Sequence, residues 1–205
     1  MRRMIIPAAG RAERFGGVRK ELLPLSATPG DCALRRAVER AAPDPVVIVT
    51  RLDLIAAHAR ALDGLAVTYS IQQHGGDLWG AILTALDDCD GGLLLPDTVW
   101  EGYVPQQIDA PIVFGVFSTD EPQRYSVLRE GKIHTKIAHP RRQQAWGCVL
   151  WQASAARLMR ASAFKHYDRA FEAAMGLGYA TFPISAYHDL GSFPAYQRWM
   201  AAQCK

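Results

Sequence analysis

Long apolar runs are missing from this chain of 205 residues. Its strongest apolar stretches, Pro45 to Val49 and Ile112 to Phe117, fall far short of the roughly 18 to 20 residues that cross a bilayer, which argues against a transmembrane helix. Met1-Arg2-Arg3 followed by Met4 to Gly10 has the outline of a signal peptide. Arg11, Glu13 and Arg14 interrupt it before any cleavage site, so a cytoplasmic protein is expected. Cysteine is scarce: Cys32, Cys89, Cys148 and Cys204 are spread out with no C-x-x-C pair, which disfavours a zinc knuckle or a disulfide framework and predicts reduced thiols. An excess of one charge is lacking too. The 23 Lys plus Arg and 20 Asp plus Glu leave +3, and the tightest basic cluster, Arg141-Arg142 with Lys136 nearby, is short. Neither nucleic acid nor a membrane surface is an expected partner. No Pro-, Gly- or Ser-rich linker and no repeat divides the chain, so residues 1–205 read as one domain, and 49% hydrophobic residues can fill its core.

Apolar runs bounded by turn formers alternate with amphipathic stretches through the first half, the pattern of beta-alpha-beta units. Strands are predicted at Met4 to Pro7, Pro45 to Thr50, Ala66 to Ser70 and Gly92 to Leu95. Helices are predicted at Ala33 to Ala41, Leu52 to Leu62 and Leu78 to Leu86. Further on, Ile112 to Ser118, Arg124 to Arg129 and Lys132 to Ile137 read as strands, with Glu130-Gly131 as a hairpin turn. Helices resume at Gln152 to Ala161 and Tyr167 to Met175, then a strand at Tyr179 to Pro183 and a helix from Pro194 to Ala202. The expected fold class is α/β: a Rossmann-like, three-layer arrangement with a mixed, mostly parallel central sheet and an added antiparallel hairpin. In such sheets the loops after the strands form the ligand crevice.

The first of these loops runs from Pro7 through Ala8, Ala9, Gly10 and Arg11 to Gly17, and Arg19-Lys20-Glu21-Leu22-Leu23-Pro24-Leu25 follows. Small residues directly after a strand let backbone N–H groups cradle phosphate oxygens, and Arg14 and Lys20 supply positive charge for a triphosphate. The spacing fits neither G-x-x-x-x-G-K nor G-x-G-x-x-G. Asp97, directly after an apolar strand, can hold Mg2+ against a nucleotide phosphate or simply cap the next turn. In Ile71-Gln72-Gln73-His74-Gly75-Gly76 a Gln can pair with a nucleobase edge while glycines let the chain close over it; Gln73 is favoured over Gln72, and Gly76 lies in the turn. His58, His74, His134, His166 and His188 lack metal-ligand spacing and read as surface or packing residues. No G-x-S-x-G elbow points to covalent catalysis.

Ile5 to Leu25 resembles the N-terminal signature of the nucleotidyltransferases that activate sugar phosphates, and further similarities recur in order along nearly the whole chain. The resemblance implies roles for Ala8, Ala9, Gly10, Arg11, Gln73 and Gly76 in nucleotide binding and for Arg14 and Lys20 in catalysis. Tyr187-His188-Asp189-Leu190-Gly191 resembles the family's late Asp-x-Gly motif, implying Asp189 as a second ligand, with Asp97, to Mg2+ as cofactor. By its residues alone Asp189 would more simply cap the last helix. Departures fall at Ala12 and Arg19, where Gly and Pro are usual, and on the acceptor side. There Ala138-His139-Pro140 replaces Glu-Lys-Pro and Tyr125-Ser126 replaces Tyr-Gly, while Gly147 keeps the expected small residue. His139 and Gly147 are the implied acceptor contacts.

The expected activity is Mg-dependent transfer of a nucleoside monophosphate from an NTP to a small phosphorylated acceptor, such as a sugar 1-phosphate, with release of pyrophosphate. The altered acceptor motif keeps open a cytidylyltransferase-like enzyme acting on a non-sugar phosphate or phosphonate. A nucleotide-binding module without turnover is the reading from another class, and a homo-oligomer is compatible with the sequence.

Overall fold

The computed structural model describes residues 2–11, 16–135 and 142–203. Its strands are β1 (Arg3–Pro7), β2 (Val46–Thr50), β3 (Val67–Ile71), β4 (Gly91–Leu94), β5 (Thr98–Glu101), β6 (Ile112–Thr119), β7 (Ser126–Arg129), β8 (Lys132–Thr135), β9 (Gln143–Trp151), β10 (Tyr179–Pro183) and β11 (Ser185–Asp189). Its helices are α1 (Ala33–Ala41), α2 (Ile55–Ala61), α3 (Leu78–Ala85), α4 (Ala153–Ala161), α5 (Tyr167–Met175) and α6 (Phe193–Gln203). The central sheet runs β10-β6-β9-β4-β1-β2-β3. β3, β2, β1 and β4 are mutually parallel, β10 is parallel to β6, and β9 runs against both β4 and β6. This is the mixed, mostly parallel sheet expected.

Two cores, one on each face, make the three layers. Leu34, Ala37, Val38 and Ala41 recur along α1 at helical spacing and pack on one face with Met4, Ile6 and Ile48. On the other face Trp79 and Ile82 of α3, Met159 of α4 and Phe171 of α5 pack with Ile5, Leu93, Phe114 and Trp146. Phe114 sits edge-on between Trp146 and Phe171, with ring centroids 6.4 and 6.1 Å away.

The hairpin β7–β8 pairs in the expected register, and Glu130 (φ 52°) and Gly131 (φ 70°) both adopt the left-handed conformation that a tight two-residue turn requires. Three strands go beyond the sequence expectation. β9 carries Gly147 at a bulge: Gly115 pairs with Cys148 but Val116 with Trp146, so Gly147 is the extra residue. The bulge keeps Trp146 on the same core face as Val149 and Trp151. β5 and β11 form a separate antiparallel pair beside the open end of the sheet. The segment expected as one helix over Leu52 to Leu62 is a 3-10 turn at Leu52–Leu54 followed by α2.

The turn into α3 is tight. Asp77 caps the helix, its side chain accepting from the Gly80 N–H at 2.8 Å. A β-carbon at Gly80 would lie 1.9 Å from the His74 carbonyl oxygen, whereas one at Gly76 would have nothing within 4 Å. Gly80→Ala is therefore expected to cost about 1 to 3 kcal/mol, the usual range for overpacking. In scanning calorimetry it should melt several degrees below wild type and Gly76→Ala close to wild type; equal melting temperatures would disprove the clash.

Candidate active site

The loops after β1, β3 and β4 meet at the open edge of the parallel strands. After β1, Ala8 and Ala9 are buried, and the Ala8 N–H donates to the Val49 carbonyl at 2.7 Å. The loop is closed by Arg19, whose guanidinium donates to the Gly10 carbonyl at 2.5 Å, so the residue standing where Pro is usual bridges the loop's two ends. Lys20 follows on a 3-10 turn (Lys20–Leu22), and its ammonium forms an ion pair with the Asp97 carboxylate. Ala8, Ala9, Gly10, Lys20 and Asp97 line a cleft, which Gln72 and Gly76 close on the β3 side.

The cleft wall carries Gln72 rather than Gln73. The Gln72 side-chain amide donates to the carbonyls of His74, Gly75 and Asp77 at 3.0, 2.8 and 3.2 Å, shaping the turn. Gln73 is exposed, its backbone N–H bonded to Thr84 Oγ1 at 3.2 Å. Gln72, first after the strand, points its side chain into the turn, and Gln73, the residue favoured from the sequence, faces away. Arg11 is exposed and is not part of the wall. Arg14 and His139 lie outside the described residues.

Asp97 and Asp189, 92 positions apart in sequence, come together. β11 pairs with β5 so that Asp189 lies opposite Thr98, and the Leu190 N–H donates to the Asp97 carbonyl at 2.8 Å. A β-carbon built on Gly191 would lie 2.6 Å from Asp189 Oδ1 and 3.4 Å from Asp97 Oδ2, so both carboxylates crowd one glycine. Asp189 also accepts from the Gly191 N–H at 2.7 Å and faces Arg124 at 3.5 Å. Among the described residues no cluster of three or more His, Cys, Asp and Glu could hold a metal. Two converging carboxylates do match the donor set of Mg2+, which commonly takes one or two carboxylates and completes its shell with phosphate and water.

A second cavity adjoins the first at Leu78, Leu95 and Asp97. Four aromatic rings, Tyr125, Trp146, Tyr167 and Tyr187, line it together with Arg124 and Asp189. Ser126 and Tyr167 join hydroxyls across it at 2.9 Å. The Trp146 indole N–H is buried with no partner among the described residues. Gly147 is not on the wall: a β-carbon there would strike the Tyr187 ring at 2.4 Å, so its missing side chain makes room for Tyr187 rather than for a ligand.

Three residues at the site were given no role in the sequence reading: Arg124, Tyr187 and Glu21. Arg124 and Tyr187 reach the carboxylates only through tertiary pairing. Glu21 lines the first cleft and contacts His58, which is wholly buried, in keeping with the packing role expected of it. Tyr187 stacks on Phe117 at 3.9 Å. Burial, with the Asp97 and Asp189 charges adding to it, pushes its phenol well above the ordinary value of 10. The raised folded-state value means that the neutral phenol contributes stability fully below pH 10 and loses it as pH rises through that value. Wild type should accordingly lose urea resistance above pH 10 more steeply than Tyr187→Phe; parallel profiles would refute the assignment.

Residues 4–97 match the model of the MobA-like NTP transferase domain. No curated protein matches the chain significantly in sequence. Solved structures with similar folds include a Bacillus anthracis protein assigned as a glucose-1-phosphate thymidylyltransferase, in complex with a sucrose. It is 17% identical, with a TM-score of 0.82 over 98% of this chain and 95% of that one. A UDP-glucose pyrophosphorylase complexed with UDP-glucose is 16% identical, with a TM-score of 0.79 over 100% and 98%. The UTP-bound enzyme from Acinetobacter baumannii is 17% identical, with a TM-score of 0.75 over 99% and 93%. Residues 4–97 thus carry the pattern of the MobA-like NTP transferases, and the chain as a whole has the fold of the sugar-phosphate nucleotidyltransferases.

Proposed function

We propose that this protein transfers a nucleoside monophosphate from an NTP to a small phosphorylated acceptor and releases pyrophosphate. The observation that carries the reading is the convergence of Asp97 and Asp189 where two cavities meet. The first cavity, with its small-residue loop and Lys20, suits a triphosphate; the second suits the acceptor. An acceptor phosphate oxygen attacks the α-phosphorus in line. The loop amides and the Lys20 ammonium hold the charge that builds on the leaving pyrophosphate. Arg124 orients the acceptor phosphate, and the neutral Tyr187 phenol offers it a proton to share. Asp97 and Asp189 would hold Mg2+, which supplies charge neutralisation to both substrates' phosphates. No protein nucleophile is required, because positioning and charge stabilisation suffice.

A sugar 1-phosphate is the acceptor favoured by the likeness to sugar-phosphate nucleotidyltransferases. A second reading, a non-sugar phosphate or phosphonate with CTP as donor, is favoured by Ser126. Its hydroxyl, at a position where a glycine is usual, bonds Tyr167 in the lining of the second cavity.

A pyrophosphate-release screen of four NTPs against sugar phosphates, aminoalkyl phosphates and phosphonates separates the two readings. Asp97→Asn and Asp189→Asn should each lower turnover by about 100-fold or more, the scale seen when a group aimed at transition-state charge is lost, with circular dichroism unchanged. Near-normal turnover in either variant removes that residue from the site. Wild-type protein releasing no pyrophosphate with any pair would overturn the proposal.

A further inference from the structure

A polar chain runs beneath the nucleotide cleft. Thr50 at the end of β2 and His58 on α2 are both fully buried, and Glu21 is 5% exposed. Thr50 Oγ1 lies 3.0 Å from His58 Nδ1, and His58 Nε2 lies 3.4 Å from Glu21 Oε1. A carboxylate only accepts, so the proton on this side belongs to His58 Nε2. Glu21 neighbours Lys20 on the same 3-10 turn, so the turn sends one side chain to His58 and the next to Asp97.

That turn has little to hold it in place by itself. It is three residues long, lacks a side-chain cap, and closes through backbone bonds of 3.0 Å (Leu22 N–H to the Arg19 carbonyl) and 3.2 Å (Leu23 N–H to the Lys20 carbonyl). Stability alone does not account for an imidazole–carboxylate pair here, since well-packed apolar residues commonly serve a buried site as well or better. Position does account for it. The end of β2 accepts the Ala8 amide through Val49 and anchors His58 through Thr50, so one strand end fixes both the phosphate loop and the lysine turn.

We infer that Glu21, held by His58, is a positioning residue for Lys20: the pair locks the turn so that the ammonium is delivered to Asp97 and to the reacting phosphates. The inference rests on the nucleotidyl-transfer reading for its consequence but not for its geometry. Glu21 lines the cleft and His58 does not, so a direct contact of Glu21 with nucleotide would leave His58 substitutions silent.

The test is a pair of double-mutant cycles on the full chain, crossing Lys20→Met with His58→Asn and with the milder Glu21→Gln, which keeps size and an acceptor oxygen. Without substrate, Lys20→Met shifts the urea midpoint by losing its ion pair with Asp97. Positioning predicts that this shift is at least halved in either second background, because the pair is already loosened. With substrate, His58→Asn and Glu21→Gln should lower kcat about tenfold with the KM for NTP within about twofold, consistent with a small misplacement of a charge-bearing group. In the Lys20→Met background they should have no further effect on kcat. Additive midpoint shifts, or unchanged kcat in His58→Asn, would overturn the inference. Absence of turnover in wild type would defeat the proposed reaction instead, and the substrate-free cycle would still decide whether Glu21 and His58 position Lys20.

Discussion

Two carboxylates set against one glycine repel, and the open end of this fold is arranged around answering that charge. At 4 Å, two unit charges of like sign cost about 1 kcal/mol in water and several times that in a partly dry cleft. Asp97 is answered by Lys20, and Asp189 by Arg124 and the Gly191 N–H. The small sheet of β5 and β11 enforces the meeting, because it returns the chain alongside the residues that follow Asp97. A third apolar cluster of Leu25, Ala33, Val99 and Leu190, with Tyr196 and Trp199 of α6 against it, pins that sheet to the body.

The parallel strands decide where this happens. β1, β2, β3 and β4 end on the same edge, so a small-residue loop, the His58 anchor, the Gln72 turn and Asp97 gather with no long excursion of chain. β9 runs the other way and reaches the same place from its opposite end. Its bulge at Gly147 keeps Trp146 in the core while leaving room for the Tyr187 ring. The cleft behind the first loop and its neighbouring cavity then share Asp97 as their boundary.

Much of this edge was legible in the sequence. Ala33 to Ala41, Tyr167 to Met175 and Tyr179 to Pro183 fold over the bounds that their periodicity predicts. The loop after β1 and Asp97 were legible because each follows directly on an apolar strand, where chemistry and position coincide. β5 and β11 were not: they are four and five residues long and exist because they pair with each other across the chain. β9 is buried along most of its length, so it lacks the alternation that marks a strand with one wet face. Gln72 rather than Gln73 lies on the cleft wall because a strand's last residue sets which neighbour faces the cleft. Glu21 and His58 were illegible for a plainer reason: 37 positions separate them, and nothing local distinguishes a buried imidazole from a solvated one.

The choice between lysine and arginine around the site follows from what each cation must do. Arg36 grips Asp31 with two bonds of 2.7 Å and holds its carboxyl below the ordinary range, fixing the chain between the lysine turn and α1. Arg19 closes the first loop on a backbone carbonyl, and Arg40 lies 4.1 Å over the Trp100 ring. These are fixed tasks, suited to a planar fork that stacks and bonds in one orientation. Lys20 has a different task in the proposed reaction. Its ammonium rests on Asp97 and must turn to phosphate oxygens as charge moves from nucleotide to pyrophosphate. A compact charge on a flexible stem can change partners without unlocking a bidentate pair. In that reaction its freedom is useful only if the backbone beneath it stays still, which fits a lysine carried on a turn whose next residue is tied into the interior.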